Sequence, residues 1–240
     1  MNLVHTNKGN TPSKKNQMKV TLLNATPNAE DHIVEVARVS SSRKDKKSKP
    51  EGLLNYLIKH KHWSPFEHGH VTFEIETSKA IGIQLIRHRS FSFQEFSQRY
   101  QDVNRFGDIF EPIELRAQCE DNRQSSTEVI NPTIAYKGND LTAQDLIEKH
   151  LENSQHLYKR LLDNGVAREQ ARMVLPLATT TKIHMTGSIR SLIHFLELRD
   201  DSHAQKEIQM VAKEIKNIFI EEFPIISNAL KYESTNKTTN

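Results

Sequence analysis

Residues 87–100 read Arg87-His88-Arg89-Ser90-Phe91-Ser92-Phe93-Gln94-Glu95-Phe96-Ser97-Gln98-Arg99-Tyr100. Just upstream, Ile81, Ile83, Leu85 and Ile86 surround Gln84, a spacing that predicts a short, mostly buried helix. Arg87, His88 and Arg89 then fall at its C-terminal end, where cations suit the negative end of the helix dipole. From Phe93 to Tyr100 the pattern predicts extended chain. With a period of two, Glu95, Ser97 and Arg99 share one face and Phe96, Gln98 and Tyr100 the other. One face offers an acceptor, a hydroxyl and a guanidinium fork beside two further guanidinium groups, a set that suits a phosphorylated, hydrogen-bonding ligand. Capping plus a polar strand face would place the same residues without any ligand, so the pattern alone leaves both readings open.

Working outward, composition narrows the classes. The chain has 240 residues, enough for one substantial core or two small ones. No apolar run approaches a membrane span, and Met1 to Gln17 lacks a signal-peptide block, so a soluble cytoplasmic protein is expected. The single cysteine, Cys119, excludes an intrachain disulfide or a zinc site built on several thiolates. It lies in a polar run with no local base and is read as incidental. The net charge of +3 suits phosphate-bearing ligands but falls short of the concentrated excess of a nucleic-acid binder.

In chain order, residues 1–17 predict a disordered polar tail and Met18–Leu23 a first strand. Asn28–Ser40 predicts a helix with Ile33, Val36, Ala37 and Ser40 inward. Residues 41–50 are a charged loop. Glu51–Lys61 is a helix burying Leu53, Leu54, Leu57 and Ile58. His60, His62, His68 and His70 crowd the next segment, but Pro65 breaks it and no pair stands four apart on a regular helix, so no metal is expected. His70–Thr77 alternates as a strand, with Val71, Phe73 and Ile75 inward. Arg116–Asp140 reads as an insertion or long surface loop. Thr142 caps a long helix closed by Asn164-Gly165. Ala167–Leu175 is a second helix stopped by Pro176, Thr179–Ile183 a strand or extended link, and Gly187–Arg199 a third helix. At 201–205, Ser202 and Gln205 predict a capping box for a helix running to about Glu222. After Pro224 a short helix reaches Lys231, and 233–240 is a polar tail.

Arg-His-Arg, seven residues, Ser, one residue, Arg is the signature of the flavin-dependent thymidylate synthases (the ThyX family), and Arg87 to Arg99 resembles it at every fixed position. The likeness extends to His62-Trp63-Ser64-Pro65-Phe66-Glu67-His68, to Arg168 through Pro176, and to Arg190 through Gln205, so it covers about residues 18–232 as one domain. It implies an α+β fold of the ThyX type: a central, mainly antiparallel sheet packed with helices, plus a helical C-terminal half. It implies methylation of deoxyuridine monophosphate (dUMP) at C5 to thymidylate. The carbon comes from methylenetetrahydrofolate, the hydride from reduced FAD, and NADPH recharges the flavin. It also implies a homotetramer whose active sites are shared between subunits.

Carried over residue by residue, Arg199 is the catalytic group. Gln84, Arg87, Glu95, Ser97, Gln98, Arg99 and Arg172 contact dUMP together with Arg199, and Arg99 and Arg172 are the phosphate partners. Ser64, Arg87, His88, Arg89, Glu95, Ser188, Arg190 and His194 hold FAD. The chain departs from the pattern at Ser188 and His194, where members carry Asn, and at Gln98, where several carry Gly; a serine hydroxyl still makes hydrogen bonds.

The residues themselves are consistent with this chemistry. There is no G-x-G-x-x-G and no phosphate loop, so side chains and loop amides must hold any dinucleotide phosphates. Uracil C5 is a poor nucleophile. Without a thiol to attack C6, activation must be electrostatic, by a cation beside the pyrimidine carbonyls and N3. Ser97 as a nucleophile is disfavoured because no base is in sequence view. The rival from another class is a nucleic-acid-binding module that stacks bases on Phe91, Phe93, Phe96 and Tyr100 beside Arg87, Arg89 and Arg99. A family-fold protein that has lost turnover is a further rival, and the retained Arg199 weighs against it.

Overall fold

The structure, a computed structural model, describes residues 18–40 and 49–234. The expectations for the tail at 1–17, most of the charged loop at 41–48 and the last residues of the tail, 235–240, lie outside the described residues.

β1 (Lys19–Ala25) leads into α1 (Ala29–Arg38) and α2 (Pro50–Lys59), followed by a 3-10 turn at Ser64–Glu67 and β2 (His70–Ser78). α1 buries Ala29, Ile33 and Val34; Ile33 faces inward as expected, Val36 and Ala37 are half-buried with Ala37 packed on the core, and Ser40 is exposed. β2 alternates as its pattern requires, with Val71, Phe73 and Ile75 buried. α3 (Lys79–Leu85) follows without a loop, and β3 (Ser92–Glu95) comes next in the chain. α3 buries Ile81 and Leu85, but Ile83 is 48% and Ile86 43% exposed, so half of the expected apolar set faces outward.

The stretch 116–140 is ordered structure rather than a loop. It forms two hairpins, β4 (Arg116–Gln118) with β5 (Ser126–Val129) and β6 (Thr133–Tyr136) with β7 (Asn139–Thr142). Polar residues dominate because the hairpins lie at the surface and bury little apolar area. α4 (Ala143–Asp163) is capped by the Thr142 hydroxyl, which accepts from the Asp145 amide. Gly165 then takes a positive φ of 80°, as a helix stop requires. The predicted helix over 167–175 is split into α5 (Arg168–Ala171) and a 3-10 turn at Arg172–Val174.

β8 (Thr180–Ser188) is longer than predicted and takes in Gly187 and Ser188. α6 (Ile189–Arg199) therefore begins two residues late, capped by the Ser188 hydroxyl, which accepts from the Ser191 amide. No capping box forms at 201–205. Gln205 is the N-cap of α7 (Lys206–Glu222) without a side-chain bond, and Asp201 instead accepts from the His203 amide. α8 (Pro224–Leu230) completes the helices.

The main sheet is antiparallel, in the order β1-β2-β8-β3. Phe73 pairs with Met185 and Ile75 with Ile183, so the inward faces of β2 and β8 form one apolar surface. Helical residues cover it, among them Ile33, Leu54, Leu192, Phe195, Val211, Ile215, Phe219 and Ile226. The other face is polar: Lys182 bridges Glu74 (2.9 Å) and Glu76 (3.1 Å), and Thr72 meets Thr186 at 2.9 Å. A second, smaller core of Val103, Ile109, Tyr158 and Ala171 ties α4 and α5 to the chain after β3. Among the described residues, no helix is long and apolar enough to cross a membrane.

Candidate active site

Leu85 and Phe91 set the course of the basic turn. Both are buried, the His88 amide donates to the Leu85 carbonyl and the Phe91 amide to that of His88. Phe91 packs edge-on against Phe195 of α6, and His88 does the same with ring centroids 5.0 Å apart. The turn is thereby clamped to α6 while Arg87 and Arg89 stay exposed.

At the far end of α6, Arg199 donates through Nε to His88 Nε2 at 2.8 Å. Burial, then the Arg199 and His194 charges, push the His88 imidazole down to about 4. It is neutral at neutral pH, with the lone pair on Nε2 and the proton on Nδ1. Arg199 is also held below its ordinary range, by burial first and then by Arg87. A guanidinium nonetheless stays charged at neutral pH. Among the described residues no carboxylate pairs with Arg199, so its charge is left for a ligand. Gln84, one helical turn before the basic residues, donates through Nε2 to Gln205 Oε1 at 2.7 Å.

A cleft of about 500 Å³ opens beside this cluster, lined by Trp63, Glu67, Ser90, Arg190, Ile193 and His194 among others. Glu67 organises its floor, accepting from Ser188 Oγ at 2.5 Å and from Arg190 Nη1 at 2.8 Å. Ser188 is buried and its hydroxyl is engaged both as donor to Glu67 and as the cap of α6. Ser64 opens the 3-10 turn that brings Glu67 here and is exposed.

The other half of the motif lies elsewhere. β3 stops at Glu95; the Phe96 amide still donates to the Lys182 carbonyl, but Tyr100 and Gln101 donate back to Ser97 in a turn. The predicted alternation therefore ends at Glu95. Gln98 is buried with its Nε2 lacking a partner, and Tyr100 is 74% exposed. Arg99 approaches Glu169 of α5 at 3.5 Å, and Arg172 donates through Nε to the Glu169 carbonyl at 3.4 Å. Arg99 and Arg172, distant in sequence, thus share one patch. Their link through Glu169 is exposed and weak, so it leaves both guanidinium groups available to an anion.

The two sets sit at opposite ends of β3. Gln84, Arg87, His88 and Arg199 lie before it; Ser97, Gln98, Arg99 and Arg172 lie beyond it. At the usual strand rise this separates them by about 15 Å of extended chain. Glu95 stands between, its Oε1 accepting from Lys79 Nζ (2.8 Å) and Thr181 Oγ1 (2.9 Å), which leaves Oε2 for a ligand. Lys79, Glu67 and Gln205 all hold site residues, and the predicted site contains none of them. Their partners are 16 to 123 residues away in sequence, beyond the reach of local periodicity. Glu67 and Gln205 carried a signal only through their places in family-like runs, Ser-Pro-Phe-Glu-His and Arg190 through Gln205; Lys79 carried none.

Comparison with known proteins bears on the family and the fold. The family model described as thymidylate synthase complementing protein matches residues 21–225. A probable flavin-dependent thymidylate synthase of Paramecium bursaria Chlorella virus 1 is 43% identical over 85% of this chain and 91% of its own length. The flavin-dependent thymidylate synthase of Synechocystis is 39% identical over 83% of this chain and 88% of its own. The crystal structure of the UMP/dUMP methylase PolB from Streptomyces cacaoi, bound with 5-Br UMP, superposes with a TM-score of 0.72 at 31% identity, covering 90% of this chain and 94% of that one. With the motif, the antiparallel core and these relatives in agreement, the chain belongs to the family of flavin-dependent thymidylate synthases.

Proposed function

We propose that the protein methylates dUMP at C5 to give thymidylate, with methylenetetrahydrofolate as carbon donor, FAD as the flavin and NADPH as its reductant, releasing tetrahydrofolate. The reading places it in the cytoplasm, as one domain over about residues 18–232 that assembles into a homotetramer. The observation that carries it is the Arg199–His88 pair. A neutral imidazole takes the Nε hydrogen and fixes the guanidinium, whose Nη groups remain for the substrate.

Arg199 would stand beside the pyrimidine carbonyls and N3. There it stabilises the enolate-like form in which electron density rises at C5, the atom that bonds to the incoming carbon. One preorganised charge stabiliser of this kind contributes about 3 kcal/mol to a transition state. Arg99 and Arg172 hold the phosphate, with the unpartnered Gln98 amide nearby as a further donor. Arg87 and Arg89, exposed and without an acidic partner among the described residues, fit the diphosphate of FAD. The cleft walled by Trp63, Ile193, Arg190 and His194 fits its ring system. When bound, reduced FAD supplies the hydride that converts the transferred carbon into a methyl group. No thiol is required, and Cys119 lies in the β4–β5 hairpin.

That the two arginine sets occupy opposite ends of β3 supports sites built from more than one subunit. Anaerobic incubation with dUMP, methylenetetrahydrofolate, FAD and NADPH should yield thymidylate and tetrahydrofolate in equal amounts. Absence of thymidylate, or dihydrofolate as the folate product, would overturn the reading.

A further inference from the structure

The hairpin β4–β5 delivers one half-buried side chain toward the site. Arg116, 11% exposed, is steadied by Ser126 Oγ at its Nε (2.9 Å) and reaches Glu207 Oε1 with Nη2 at 2.6 Å. The other oxygen of Glu207 accepts from Gln205 Nε2 at 2.8 Å, and Gln205 Oε1 accepts from Gln84 Nε2 at 2.7 Å. The order of donors and acceptors along this chain is forced. An ionised carboxylate only accepts, so Gln205 must present its NH₂ to Glu207 and its oxygen to Gln84. Gln84 must in turn give its NH₂ to Gln205, which leaves Gln84 Oε1 as its free end. Burial pushes the Glu207 carboxyl up, but the bonds from Arg116 and Gln205 outweigh it and hold the group below the ordinary carboxylate range. The anchor therefore stays anionic.

We propose that Arg116, Glu207 and Gln205 act as a relay that locks the Gln84 amide with its oxygen toward the nucleotide, making Glu207 a positioning residue for pyrimidine nucleotide selection. The proposal rests on the reading of Gln84 as a dUMP contact. At neutral pH dUMP has two donors to offer an amide oxygen, the N3 hydrogen and the 3′-hydroxyl. A nucleotide lacking the donor that Gln84 uses gains nothing from the locked oxygen. Where the lost donor is N3–H, as in dCMP, a bare lone pair meets that oxygen instead.

The test is titration of the flavin-loaded protein with dUMP, dCMP and 2′,3′-dideoxyuridine monophosphate, followed by the change in flavin absorbance, for the parent, Glu207→Gln and Gln84→Ala. Glu207→Gln keeps the shape but donates as readily as it accepts, which frees the order of the relay. Expected is a loss of dUMP affinity of about fivefold, the equivalent of one hydrogen bond, with unchanged flavin content. Discrimination against one of the two analogues should fall with it, and the analogue concerned identifies the donor. If Gln84→Ala weakens dUMP binding while Glu207→Gln leaves affinity and discrimination intact, the relay is wrong and the contact stands. Equal weakening toward all three nucleotides would mark Glu207 as merely structural and also overturn the relay. If Gln84→Ala changes nothing, the contact reading fails and the relay falls with it.

Discussion

His88 is the residue on which the chemistry of Arg199 turns. Its lone pair accepts from Arg199 only while the imidazole is neutral. Folded His88 titrates near 4 against 6.5 for an ordinary histidine, so between these values the unfolded chain binds the proton and the folded one does not. This group therefore costs no stability above pH 6.5, destabilises progressively as pH falls toward 4, and adds no further slope below that. His88→Asn keeps an acceptor without the titration. Urea unfolding at pH 7 and pH 5 should show a smaller drop for His88→Asn than for the parent; equal drops would contradict the assignment. At the same scale, Cys119→Ala should leave thymidylate formation within about twofold, as expected of a surface side chain outside the machinery. Near-total loss would restore a thiol mechanism. Arginine identities were legible from the motif because its spacing is fixed. The His88–Arg199 bond was not, since it joins side chains 111 residues apart through the packing of α6.

Among elements, the join between β8 and α6 governs how firmly the basic turn is held. Gly187 lies where an added Cβ would run into the Phe91 ring, and Phe91 is the apolar pin of the turn. Gly187→Ala should destabilise the fold by about 1–3 kcal/mol through overpacking. It should also loosen flavin retention, read as a lower melting temperature with a paler protein. Ser188→Ala removes the cap of α6 and one donor to Glu67, at about 1 kcal/mol in thermal unfolding. A melting temperature unchanged in either variant would contradict these roles. Strand β2 and helix α2 were legible because their buried residues follow a clean period, and α4 because its Thr142 cap is local. The end of β3 at Glu95 was not. The alternation of polar and aromatic residues runs on to Tyr100, but backbone pairing ceases once Phe96 has bonded Lys182, and the chain turns at Ser97. The hairpins of 116–142 were missed for a related reason: β5 and β6 are exposed throughout, so burial leaves no two-residue rhythm in the sequence.

For the whole molecule, the fold class was readable through the family motif, because antiparallel pairing of β2 with β8 joins segments that no local pattern connects. What no linear reading shows is that the motif is divided. Its first half is clamped against α6, and its second half turns away to meet α5. Exposed Ile83, Ile86 and Met173 stand near these two ends, an arrangement that suits burial against neighbouring subunits. If each active site takes Arg199 from one subunit and Arg99 from another, two inactive variants should repair each other. The decisive measurement is thymidylate formation by Arg199→Ala, by Arg99→Ala, and by assemblies formed from a mixture of both. Each variant alone should lose activity by about a hundredfold or more, as removal of a preorganised charge does. The mixture should recover about a quarter of parental activity, the share of sites that draw an intact residue from each side in a random assembly. Near-parental turnover by either variant alone, or a mixture no more active than its components, would contradict the account.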